Sequence, residues 1–149
     1  MKEFKSVDIA LAQLESALML YFETNDYFSV ITLAGAAEEI LGKACRAQGI
    51  KSSLESLQDS YFLLNQIRNG EDVTKEKLNK WVHDRVNYAR NKIKHVNPIN
   101  EPVVSIFAEH EAKDLLNRAI DNWWALGNPF TNLMLKFYSD KVDSADIET

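Results

Sequence analysis

Cysteine, proline and glycine are scarce in this chain, at 1, 3 and 5 of 149 residues. A lone Cys45 excludes an intramolecular disulfide and a thiolate metal cluster, and its neighbours Ala44 and Ala47 suit a packed helical position in a reducing compartment. So few turn-formers exclude the loop density of a β-sandwich. No apolar run approaches the ~18 residues of a membrane span. Asp8, Gln13 and Glu15 interrupt the first apolar segment, so it does not form a signal-peptide block either. Glycine-rich phosphate loops, Cys/His zinc patterns, G-x-S-x-G elbows and dinucleotide fingerprints are all missing. His83, His95 and His110 are too scattered to make a metal-ligand spacing. The expected setting is the cytoplasm, with no membrane, metal or cofactor.

What the chain does have is 46% hydrophobic and 26% charged residues, enough apolar surface for one folded domain. The apolar residues recur at helical spacing. Ile9, Leu11, Leu14 and Leu18 predict a helix over 7–22. Asp26 offers an N-cap for a second helix over 27–48, closed by Gly49. In that helix Gly35 and Gly42 form a smooth strip open to close approach. Ser52-Ser53-Leu54-Glu55 has the spacing of a capping box and opens a shorter helix that stops at Asn69-Gly70. A basic helix begins past Asp72 or Thr74 and carries Leu78, Val82, Val86, Ala89, Ile93 and Val96 as one continuous stripe, ending before Pro98. Further helices are expected over 104–126 and, with Pro129 at the first helical position, from Asn128 to about Tyr138. The pattern predicts an all-α, up-and-down four-helix bundle with additional short helices. It forms a single domain over 1–138, followed by an acidic, flexible tail over 139–149.

Charge is unevenly placed. Residues 74–95 carry +5 and the rest of the chain −10, for a total of −5. The basic helix ends in Arg90-Asn91-Lys92-Ile93-Lys94-His95. An imidazole can take a proton from a ribose 2′-hydroxyl or return one to a leaving oxygen, a guanidinium can stabilise charge on phosphorus, and Asn91 can orient either. The same groups can hold a nucleotide phosphate without chemistry, or form a solvated helix end whose cations complement the helix dipole. Residues five apart on a helix are separated by about 140°. Arg90 and His95 therefore flank the apolar stripe on opposite sides, and His95 lines up with Asp84, Tyr88 and Asn91. On the second helix, Glu38 borders the apolar side and needs a partner such as a buried arginine or tyrosine, while Glu39 shares a face with Thr32, Gly35 and Arg46. His83 and His110 read as ordinary surface residues. Trp81, Trp123 and Trp124 could stack bases, fill a core or line a dimer interface.

Arg90-Asn91-x-x-x-His95 at a helix end in a small all-α chain resembles the R-x4-6-H signature of the HEPN superfamily, and the 36–44 segment, with Glu38, Glu39 and Lys43, is similar to its second helix. The resemblance implies a homodimer in which two motifs face one cleft. Many members are metal-independent endoribonucleases, including toxins paired with a nucleotidyltransferase antitoxin; others are noncatalytic nucleotide-binding or protein-interaction modules. Carried onto this chain, it makes Arg90, Asn91 and His95 the catalytic set, with Glu38 or Glu39 supporting the cleft. Where antitoxin-modified toxins have a tyrosine two residues after the histidine, this chain has Asn97.

Overall fold

The computed structural model describes residues 1–69 and 73–145, and these form seven helices and no strand. They are α1 (Ser6–Glu23), α2 (Tyr27–Ala47), α3 (Ser53–Asn69), α4 (Lys75–Val86), α5 (Tyr88–Lys94), α6 (Ala108–Ala125) and α7 (Asn132–Ala145). The start signals are local. Asp26 accepts a hydrogen bond from the Ser29 amide at 3.1 Å to cap α2, and Thr74 accepts one from the Lys77 amide at 3.4 Å to cap α4. At α3 the capping box closes both ways. The Glu55 amide donates to Ser52 Oγ at 3.3 Å, and the Ser52 amide donates to Glu55 Oε2 at 2.8 Å, which satisfies two amides that the first helical turn leaves open. Gly49 and Gly127 follow their helices at φ +71° and +81°, where a side chain would be strained. The Gly70 stop and the alternative Asp72 start lie outside the described residues.

Four boundaries differ from the sequence pattern. The basic helix is not continuous, because Asn87 separates α4 from α5. The cause comes from α6: Arg118 donates to the Val86 carbonyl at 3.3 Å and to Asn87 Oδ1 at 3.1 Å, inserting a side chain into the helical ladder. Residues 104–107 are loop, and α6 starts at Ala108, where Glu109 and Glu111 favour the positive N-terminal end. Pro129 is not a first helical residue. It sits in the connection, where its carbonyl accepts from Trp123 Nε1 at 2.8 Å, and Thr131 caps the helix that starts at Asn132. That helix continues to Ala145, past the end of the apolar periodicity at Tyr138, and residues 146–149 lie outside the described residues.

The core joins α2 to α1 on one side and to α6 on the other, with α7 closing against α1. Leu14, Leu18, Ile31, Leu41, Leu116 and Ile120 are fully buried there. Cys45 is buried as well, its thiol facing the Asn122 carbonyl at 3.5 Å, and burial pushes its pKa up. α3 packs chiefly on α4, and α5 lies on α2, which brings Arg90 over the carboxylates of that helix. No described helix is long and apolar enough to cross a membrane.

Candidate functional site

The two ends of the Arg90–His95 segment open onto different clefts, as helical spacing predicts. Arg90 lies over α2, where its Nη1 donates to the Gly35 carbonyl at 3.4 Å and stands 3.8 Å from both Glu38 Oε2 and Glu39 Oε2. It reaches that position across Gly35. A Cβ at residue 35 would fall 2.5 Å from Arg90 Cδ, so what approaches the smooth strip there is a side chain rather than a backbone. Alanine at 35 would gain about 1 kcal/mol in helix propensity against about 1–3 kcal/mol of overpacking. Gly35→Ala is therefore expected to lose stability, by roughly 1 kcal/mol net, and to displace Arg90. A chemical-denaturation midpoint at or above that of the unmodified chain would show that the fit is loose.

Glu38 is the hub beneath Arg90. It is only 5% exposed, and its second oxygen lies 3.8 Å from Arg118 Nε. Arg118 is itself 6% exposed, and burial pulls its pKa down against the opposing charge of Glu38. Asn122 completes the hub. Its Nδ2 donates to the Glu38 carbonyl at 3.4 Å, and its Oδ1 accepts from the Ser53 amide at 2.7 Å, which ties α3 to the core. Glu39 is exposed on the outer side and bonds Lys43 at 2.7 Å. That bond, with the charges of Lys43, Arg90 and Lys94, holds its carboxyl below the usual range.

The cleft over these groups has a volume of about 430 Å³ and also takes in Arg46, Gln58 and His83. His83, which reads as an ordinary surface residue in the sequence, thus shares a cleft with Arg90, seven residues further along. It stands 3.2 Å from Asp84 through Nδ1. The signal that could have found it is the i, i+7 spacing to Arg90. No comparable local signal marks Arg118, Asn87 or Asn122, which enter from distant elements.

His95 is the C-cap of α5 and is exposed, its amide bonded to the Asn91 carbonyl at 3.0 Å. It lines a second cleft of about 340 Å³ with Asp84, Tyr88, Asn91, Lys92 and Glu101. Lys92 pairs there with Glu101, which raises its pKa. Of the five sequence-derived candidates, Glu38, Glu39 and Arg90 therefore meet in one cleft, and Asn91 and His95 meet in the other. Beyond His95 the loop exposes Val96, Ile99, Val103 and Phe107 to solvent, the last at 84%. Of the three tryptophans, Trp123 is in the core, Trp124 stacks on Phe130 at 4.7 Å, and Trp81 is half exposed beside Tyr61. Among the described residues no group of three His, Cys, Asp or Glu side chains could hold a metal ion.

Chemically, a single chain presents a guanidinium anchored by carboxylates and, in a separate cleft at the end of the same short helix, an accessible imidazole. Comparison with known proteins adds no family: no family model, curated protein or solved structure matches the chain.

Proposed function

We propose that the chain is a HEPN-like protein, a four-helix bundle with added short helices, that acts as a homodimer and cleaves RNA without a metal ion. The observation that carries this reading is the division of the motif between two clefts that share no lining residue. A second copy placing its His95 against Arg90 would complete an acid/base and charge-stabilising pair that one copy keeps apart. In this reading His95 moves the proton of the ribose 2′-hydroxyl or of the leaving oxygen. Arg90 stabilises the charge on phosphorus, Asn91 orients His95, and Glu38 with Glu39 holds Arg90 in place. The apolar side chains of the loop after His95 supply surface for the second copy to cover. Purified protein incubated with single-stranded RNA in EDTA is expected to cleave it. RNA left intact by active, dimeric preparations would rule the nuclease reading out.

A second reading, a noncatalytic module that binds a nucleotide or a protein partner, is favoured by one feature. Arg90 already faces two carboxylates at 3.8 Å, which reduces the net positive charge it offers to a transition state. Under that reading Arg90→Ala weakens nucleotide binding measured by calorimetry, and no RNA product forms. A nucleotidyltransferase-type partner remains part of the toxin version alone, and Asn97 leaves it no tyrosine to modify at that position.

A further inference from the structure

A groove of about 530 Å³ runs between α3 and α4. From α3 it takes Tyr61, Leu64, Asn65 and Arg68, the i, i+3, i+4, i+7 stripe that a helix ordinarily buries against other helices. From α4 it takes Lys77, Leu78 and Trp81. The groove is incompletely covered: Leu64 is 55%, Trp81 53% and Val73 37% exposed. Among the described residues no third helix covers this seam.

Charge narrows the occupant. The Arg68 and Lys77 side chains line the groove and make no hydrogen bond or ion pair with any described residue. A second copy docked here by two-fold symmetry would set this basic rim against itself. Single-stranded RNA would match the two cations and could stack on Trp81, but it would leave the apolar lining of Leu64, Val73 and Leu78 in water. An amphipathic helix with an apolar face and acidic flanks satisfies both features. From Tyr61 to Arg68 the groove runs about 10 Å, two turns of a docked helix.

We infer that the α3–α4 groove docks an acidic amphipathic helix from a partner protein. The groove shares no residue with either cleft of the Arg90–His95 segment, so this inference stands or falls independently of the nuclease reading. The probe is a labelled synthetic helix of about 18 residues, long enough to be helical alone, with leucines at core spacing and glutamates elsewhere. A lysine-for-glutamate version is the control. With the intact chain, fluorescence anisotropy should show saturable binding of the glutamate peptide. The lysine peptide, Lys77→Glu and Leu64→Glu should each weaken it about tenfold. Both substituted positions are exposed, so the thermal midpoint should not move. Absence of binding, equal binding of the lysine peptide, or binding that ignores both variants would overturn the assignment. So would an oligouridylate that binds and is lost in Lys77→Glu, which would make the groove a nucleic-acid face. Self-association abolished by Leu64→Glu would make it a dimer face and overturn the assignment as well.

Discussion

Glu38→Ala is expected to lower the unfolding free energy by about 3–5 kcal/mol, the usual cost of stripping one partner from a buried ion pair. Arg118, 6% exposed, would keep its bonds to the Val86 carbonyl and Asn87 but lose the only carboxylate within ion-pair distance among the described residues. Arg90 would lose one of its two carboxylates at the same time. The loss should appear as a lower urea midpoint with little change in slope, since the surface exposed on unfolding is nearly the same. The pair need not be strongly stabilising for this to hold, because the cost lies in leaving a charge unpaired. Accordingly the double variant Glu38→Leu, Arg118→Met should recover much of the stability that Glu38→Ala loses. A double variant as unstable as the sum of its single changes would show that Glu38 acts through packing rather than charge.

His95→Ala is expected to reduce RNA cleavage about a hundredfold to ten-thousandfold, the range for removing a general acid or base. His95 is exposed and its side chain makes no hydrogen bond or ion pair with a described residue, so helicity, thermal midpoint and dimerisation should be unchanged. That separates it from Glu38→Ala, where lost activity would follow lost structure. His83→Ala is the matched control, because His83 is the imidazole that shares Arg90's cleft within one chain. Full activity in His83→Ala with loss in His95→Ala supports a site completed between subunits. The reverse pattern would move the chemistry to His83 and make the dimer unnecessary.

Much of this architecture is legible in local signals. Asp26, the Ser52–Glu55 box, Thr74 and Gly49 each fix a helix end through groups within four residues, which is why those boundaries fall where the sequence puts them. Helical spacing likewise separates Arg90 from His95 without reference to any other element. The break at Asn87 is not legible, because its cause is Arg118 from a helix 31 residues further on, and nothing in the apolar stripe of 78–96 signals an intruding side chain. Gly35 announces close approach but not by what, and the answer depends on how α5 is laid across α2. Pro129 carries a sound rule for the first helical position, which the Trp123 hydrogen bond to its carbonyl and the Thr131 cap override. Glu38 is the instructive middle case. Its position beside the apolar face demands a partner, but only the fold supplies the two arginines.

The most direct test of the central claim, that one chain carries half a site, is subunit mixing. Arg90→Ala and His95→Ala proteins, each inactive alone, are combined, exchanged through mild denaturation and refolding, and assayed on single-stranded RNA in EDTA. Mixed dimers keep an intact Arg90 on one subunit and an intact His95 on the other, so the account predicts restored cleavage that rises with the fraction of mixed dimer. A mixture that stays inactive after exchange is verified, or an unmodified chain that cleaves fully as a monomer, would contradict it.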